Sequence, residues 1–224
     1  MKKSHQKLNA GKNKILSKMH ILITAGGTRE YIDPVRFITN ASSGKMGYAL
    51  AGAAQKAGHK VTLISASDLQ PPVGIEFVGV DSAAEMFEAV KKHFPRCDCL
   101  IMAAAVADYT PAKKATSKIK KTNKPLIIKL KPTADILKWA GKHKKKNQIV
   151  VGFALEDRAI RTRAEKKLKE KNLDLIIANT PSAIGADKST VQIKTADSAW
   201  IKIENATKIT SAKSVIRLVE KLHS

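Results

Sequence analysis

The chain is poor in most of the residues that carry conspicuous chemistry. Among its 224 residues are 2 cysteines, Cys97 and Cys99. They stand two apart at the start of an expected strand, so their side chains are expected on one face. Two strand steps separate their Cα atoms by roughly 6.6 Å, and parallel Cβ vectors do not converge on a disulfide. Two unbridged thiols suit a reducing compartment, and a cytoplasmic location is expected. The 6 histidines are scattered, and neither G-x-S-x-G nor H-E-x-x-H occurs, which removes the usual footholds for triad or zinc chemistry. No apolar run approaches the ~18 residues of a membrane span. Met1–Met19 lacks the apolar core of a secretory signal. Aromatics make up 4% of the chain, too few to interleave with basic residues as a stacking platform for single strands.

Acid is also scarce. Against 41 lysines and arginines stand 19 aspartates and glutamates, a formal net charge of +22. Six of the lysines fall in residues 1–18, where there is no acid, and this segment is expected to be a disordered basic tail preceding one domain over 19–224. A second block is Lys142-His143-Lys144-Lys145-Lys146. A solvated lysine surface serving polyanionic small ligands is the favoured reading; a basic nucleic-acid-binding protein on the same scaffold is the alternative.

What is present is a regular alternation. Apolar stretches Ile21–Thr24, Lys60–Ala66, Glu76–Val80, Cys99–Ala105, Gln148–Phe153 and Leu173–Ala178 read as strands. Between them, helical spacing marks Gly44–Ala57, Ser82–Phe94 (capped by Asp81), Ala134–His143 (capped by Thr133) and Arg158–Lys171. Residues 106–131 break the rhythm and read as a β-hairpin or flap. Two strand candidates, Thr190–Lys194 and Trp200–Glu204, and a helix over Ser211–Leu222 close the chain. The pattern predicts an α/β fold: a Rossmann-like, doubly wound, mainly parallel sheet with a β-hairpin flap and antiparallel C-terminal strands.

Ligands of such sheets bind at the carboxyl ends of the strands. That edge collects Gly26, Gly27, Thr28 and Arg29, then Val106, Asp108 and Tyr109, then Phe153, Glu156 and Asn179. Over it stands Thr39-Asn40-Ala41-Ser42-Ser43-Gly44-Lys45-Met46-Gly47, where Ser42 or Ser43 is expected to cap a helix whose glycines admit an anion to its first turn. G-x-x-x-x-G-K-[ST] and G-x-G-x-x-G are both absent, which disfavours a P-loop enzyme and a plain NAD dehydrogenase.

Taken together, these stretches resemble the phosphopantothenoylcysteine synthetase family. The resemblance is carried by Gly26-Gly27-Thr28-Arg29-Glu30, Ile32-Asp33-Pro34-Val35-Arg36-Phe37-Ile38-Thr39-Asn40 and Ser42-Ser43-Gly44-Lys45-Met46-Gly47. Ala103-Ala104-Ala105-Val106-Ala107-Asp108-Tyr109, Lys118-Ile119-Lys120-Lys121 and Val151-Gly152-Phe153-Ala154 follow, and Lys167 with Lys171 before Leu173-Asp174-Leu175-Ile176 and Ala178-Asn179 completes the set. The matches keep the family's order over roughly residues 20–205. Departures fall in the loop after Asn179, where Thr180-Pro181 stands. The resemblance implies a ligase of coenzyme A synthesis that joins 4′-phosphopantothenate to L-cysteine through an acyl-nucleotide. CTP is expected before ATP as co-substrate, with Mg²⁺ on the triphosphate, in a homodimer without membrane attachment. A monofunctional form is expected, because the decarboxylase domain of many bacterial members has no counterpart here.

The same resemblance assigns roles. Nucleotide binding falls to Gly26, Gly27, Thr28, Ser43, Gly44, Met46, Ala104, Asp108, Lys118, Phe153, Lys167 and Lys171. Arg36 and Asn40 are expected to hold substrate, and Asn40 and Lys118 to be catalytic. Metal ligands stay unassigned. The residue types suit that chemistry, since a carboxylate attacking an α-phosphate brings two anions together, and lysines and N–H donors offset the repulsion.

Overall fold

A computed structural model describes residues 17–224. Residues 1–16, most of the expected basic tail, lie outside the described residues. Met19 is already core, 1% exposed, and its carbonyl accepts from Lys60 N at 2.9 Å.

The chain opens with β1 (His20–Ala25), then a small hairpin of β2 (Arg29–Tyr31) and β3 (Phe37–Thr39), then α1 (Lys45–Lys56). Next come β4 (Lys60–Ser65), β5 (Glu76–Gly79), α2 (Ala83–His93) and β6 (Cys99–Met102). The excursion holds β7 (Tyr109–Pro111) and β8 (Leu130–Pro132). After it follow α3 (Ile136–His143), β9 (Ile149–Leu155), α4 (Ile160–Glu170) and β10 (Leu175–Asn179). β11 (Lys188–Thr195), β12 (Ile201–Thr207) and α5 (Lys208–His223) finish the chain.

Eight strands form one sheet in the order β12-β11-β10-β9-β6-β1-β4-β5. Pairing is parallel from β5 through β10 and antiparallel at β10–β11 and β11–β12. The expected doubly wound sheet with antiparallel C-terminal strands is therefore present. Because β1 is flanked by β4 on one side and β6 on the other, the chain reverses direction there and opens a crevice at the carboxyl ends of β1 and β6.

Both faces are covered. On one, Leu50, Ala51 and Ala54 of α1 and Ala212, Val215, Ile216 and Val219 of α5 pack on Ile21, Ile23, Leu63, Ile101 and Val151. On the other, α2, α3 and α4 present Met86, Val90, Ile136, Ala140, Ala164 and Leu168 to Leu22, Ile64, Leu100, Val150 and Ile176. Alternate residues of each strand thus enter opposite cores, and each fully buried Leu or Ile contributes about 1.5–3 kcal/mol. The two cysteines fall into different cores, Cys99 with the first and Cys97 with the second. The same-face expectation fails because Cys97 precedes the strand, at the end of a 3-10 turn over Phe94–Arg96.

Local capping also departs from expectation. Ser82, not Asp81, caps α2 by accepting from Glu85 N, and Asp135, not Thr133, caps α3 by accepting from Lys138 N. Thr133 instead donates its hydroxyl to the Ala107 carbonyl at 2.6 Å. In the excursion only β7 and β8 pair; residues 112–129 form no helix or strand, so the flap is a long loop on a three-residue ladder.

Candidate active site

The crevice at the switch point is a cleft of about 520 Å³. One wall is the segment Asn40–Met46 leading into α1. The floor is Ala103–Val106 with Asp108, beyond the end of β6. The far wall combines Thr133–Leu137, Phe153 and Leu155, with Lys167 and Lys171 from α4 and its C-terminal cap.

At the α1 wall neither serine caps the helix. Gly44 takes the N-cap position with φ 78°, a left-handed conformation that favours glycine, and no side chain caps the helix. The Ser42 hydroxyl instead accepts from Gly44 N at 3.4 Å. The first-turn N–H groups are thus left for a ligand on the cleft wall. Gly47 explains how close this helix comes: a Cβ there would stand 2.5 Å from Ala25 Cβ and 3.0 Å from the Thr24 carbonyl oxygen. A larger residue would push the helix start off the strand end.

Gly26, Gly27 and Thr28 do not line the cleft. They back its floor: Ala105 N donates to the Gly26 carbonyl at 2.8 Å, and Ala107 N donates to the buried Thr28 hydroxyl at 2.9 Å. Arg29 turns to a separate hollow with Asp68 and Asp81, pairing with Asp68 at 2.5 Å. Asn40, Ser43, Gly44, Met46, Ala104, Asp108, Phe153, Lys167 and Lys171 do line the cleft. Arg36 and Lys118 lie outside it. Arg36 is held by Asp33 and by the flap backbone at Ile119, and Lys118 is exposed beside that contact.

The two α4 lysines are held differently. Lys167 donates to the Phe153 carbonyl at 2.7 Å, and Lys171 pairs with Asp135 at 2.7 Å. Burial, and then the charge of Lys171, draw Lys167 below the usual lysine range, against the pull of Asp135, Glu156 and Asp108. Burial raises Asp135, but the hydrogen bond from Lys171 and the Lys138 N–H outweigh it, and the net shift is down. Both lysines project cations into a site with room for several anionic groups.

The Asn40 amide nitrogen donates to the carbonyls of Ala105 and Val106, at 3.1 and 3.2 Å. Its carbonyl oxygen is therefore the end left for a ligand. Lys45 and Lys208 also line the cleft, and Lys208 is drawn below the usual lysine range by burial first and then by Lys45. Sequence reasoning assigned neither. Lys208 opens α5 after β12, and only the direction of β12, parallel to β10 across β11, brings it to this edge.

Residues 16–222 match the family model described as the DNA/pantothenate metabolism flavoprotein C-terminal domain. The chain belongs to this family. The coenzyme A biosynthesis bifunctional protein CoaBC of Bacillus subtilis (strain 168) is 53% identical over 173 residues, 76% of this chain and 42% of that protein. A cysteine/cysteine sulfinic acid decarboxylase of an unknown prokaryotic organism is 45% identical over 212 residues, 92% of this chain and 59% of that one. The chain thus spans about half the length of these curated relatives. Among solved structures, the C-terminal domain of a CoaBC protein superposes with TM-score 0.80 at 41% identity, covering 92% of this chain and 96% of that one. Within the DNA/pantothenate metabolism flavoprotein C-terminal domain, the switch-point cleft is the place where this sheet presents an uncapped helix start, lysines and the Asp108 carboxylate together.

Proposed function

We propose that the chain is a phosphopantothenate–cysteine ligase acting in coenzyme A biosynthesis, with CTP preferred to ATP. The observation that carries this reading is the cleft itself. A glycine-opened, uncapped helix start and the side chains of Lys167 and Lys171 bound one space large enough for a triphosphate and a second anion. The relatives named for coenzyme A biosynthesis support the pathway.

In this reading the α1 start and the two lysines bind the triphosphate, and Phe153, with Leu155 nearby, offers apolar surface to the base. A carboxylate oxygen of 4′-phosphopantothenate attacks the α-phosphorus, and pyrophosphate leaves. The amine of L-cysteine then attacks the acyl carbonyl, loses a proton and displaces the nucleoside monophosphate. The Asn40 carbonyl oxygen is positioned to accept from that amine. Lys118, exposed on the flap and outside the cleft, is assigned to the α-phosphate, which it would reach on closure of the flap.

Among the described residues, no group of three or more His, Cys, Asp or Glu side chains is placed to hold a metal. Asp108, which lines the cleft, would hold Mg²⁺ brought in with the triphosphate. The ion would neutralise phosphate charge. A homodimer is also proposed, because Val35, Phe37 and Ile38 of the hairpin and Leu126, Ile127 and Leu130 of the flap expose apolar surface. Light scattering at micromolar concentration tests it, and a monomer mass would overturn it.

The deciding experiment measures pyrophosphate release with 4′-phosphopantothenate, L-cysteine and each nucleoside triphosphate in turn. Release that requires phosphopantothenate and is fastest with CTP is expected. Release independent of phosphopantothenate, or none with any triphosphate, would refute the reading.

A further inference from the structure

Asp33 lies in the turn between β2 and β3, yet its side chain has no solvent exposure. Its two oxygens serve two different sets of donors. Oδ1 accepts from Val35 N at 2.8 Å and Arg36 N at 2.9 Å, which shapes the turn of the hairpin. Oδ2 accepts from Arg36 Nε at 3.0 Å, Arg36 Nη2 at 2.5 Å and Ile119 N at 3.1 Å. Arg36 Nη2 then reaches on to the Ile119 carbonyl at 2.8 Å. Both backbone groups of Ile119 are thus held by one ion pair, as a paired strand would hold them.

This grip falls in the middle of a loop that has no ladder of its own between residues 112 and 129. The flap's other ties to the hairpin are Ala115 N to the Ile32 carbonyl, at 2.9 Å, and Lys114 over the Tyr31 ring, 4.8 Å from its centroid. The hairpin is itself anchored. Glu30, buried, accepts from Ala83 N at the start of α2, and Arg29 N donates to the Asp81 carbonyl. A continuous series of polar contacts therefore runs from α2 through the hairpin to the residue next to Lys118.

We propose that Asp33 is a positioning residue, which locks the Arg36 guanidinium and the flap backbone at Ile119 into one arm and so fixes where Lys118 is delivered. Five donors converge on the carboxylate, a number that an amide oxygen and its NH₂ group do not satisfy. The Arg36 hydrogen bonds, opposed by burial and reinforced by the N–H groups of Val35, Ile119 and Arg36, hold the carboxyl well below its usual range. The arm therefore stays charged and joined throughout the neutral range. The catalytic consequence rests on the ligase reading above; the mechanical one does not.

Two variants separate these. Asp33→Asn supplies one acceptor oxygen for two sets of donors. Ile119→Pro removes the flap donor and leaves Asp33 and the turn intact. Each is made in a Lys121→Cys background and labelled on the folded chain with a thiol-reactive dye, the native thiols being buried. Thermal melting confirms that each variant is folded. In both, the fast local component of the dye's anisotropy decay should rise at least roughly twofold, and single-turnover pyrophosphate release should slow roughly tenfold with nucleotide KM within about twofold. Unchanged anisotropy in a folded variant would overturn the tie. Looser anisotropy with wild-type pyrophosphate release would overturn the positioning role. If Asp33→Asn fails to fold, Ile119→Pro decides both points. If the unmutated chain releases no pyrophosphate, the ligase reading fails while the anisotropy still judges the arm.

Discussion

On the far wall of the cleft, Lys167 and Lys171 are placed by α4, whose Ala164 and Leu168 are buried beneath the sheet, and each lysine has one short polar contact. On the hairpin and flap, Arg36 and Lys118 depend on a short ladder, one ion pair and a few backbone hydrogen bonds. The cleft walls are positioned by apolar burial spread over many residues. The arm is positioned by a handful of polar contacts centred on one buried carboxylate. Such a division suits a site that keeps its nucleotide pocket fixed and carries its cationic segment on one joined arm.

The sharpest way to break the comparison is to disturb the α1 wall where it is tightest. Gly47→Val places a branched side chain against Ala25 and the Thr24 carbonyl. Overpacking there should cost about 3 kcal/mol of stability, seen as a lower urea midpoint with the slope unchanged. A loss within about 0.5 kcal/mol would mean that α1 shifts freely and the cleft wall is no more rigid than the arm.

Lys167→Met tests the far wall's charge without its packing. Nucleotide affinity should fall roughly thirtyfold, the equivalent of about 2 kcal/mol for a charge-assisted contact, by titration calorimetry. Stability of the ligand-free chain should hold steady or rise. The folded-state value of Lys167 lies below its unfolded one. Between the two values the folded chain binds fewer protons than the unfolded, so this group costs stability at lower pH and the cost is relieved as pH rises through the window. Affinity runs the other way, declining as pH climbs through the lowered value. Lys167→Arg, which keeps its charge, should flatten that alkaline decline.

Asn40 sits at the join of the two regions. A carboxylate at this position cannot donate to the Ala105 and Val106 carbonyls. Those two bonds aim the Asn40 oxygen into the cleft, so Asn40→Asp, which keeps an oxygen but loses both bonds, should slow amide formation roughly tenfold while pyrophosphate still forms. Acyl-nucleotide would then accumulate in quenched single-turnover mixtures. Equal loss in both half-reactions would make Asn40 a structural tie between arm and floor.

The smallest effect concerns the thiols. Burial pushes Cys97 up to about 12 and Cys99 well above the ordinary thiol value. At pH 8 both should react with a maleimide roughly a hundredfold more slowly in the native chain than in guanidinium. Rapid native labelling would show that the sheet opens locally at β6.

Much of the cleft walls was legible in advance. The spacing of Leu50 and Ala54 marks one face of α1, and Lys167 with Lys171 announces two cations one turn apart at one end of α4. Local chemistry misled where several residues competed for one role. Ser42, Ser43 and Gly44 all suit a helix start, and the backbone took the left-handed glycine, where a Cβ would stand 2.8 Å from the Ser67 side chain. Thr133 and Asp135 both suit a cap, and the aspartate won while the threonine bonded to Ala107. The flap was visible as a break in rhythm, but its ties were not: nothing near Lys118 in the sequence points to Asp33, 86 positions from Ile119.

By itself the sequence determined the alternation of strands and helices, and the pair of cations, Lys167 and Lys171, one turn apart on α4. Those follow from periodicity and short-range sterics, which act within a few residues. Tertiary structure alone decided that Lys208 reaches the cleft from the far end of the chain. It also decided that Arg36 is paired with Asp33 and the flap, and that Asn40 spends its amide nitrogen on Ala105 and Val106. These contacts join residues far apart in sequence, and their partners are selected by the direction of strands and the closeness of loops, quantities that exist once the sheet has formed.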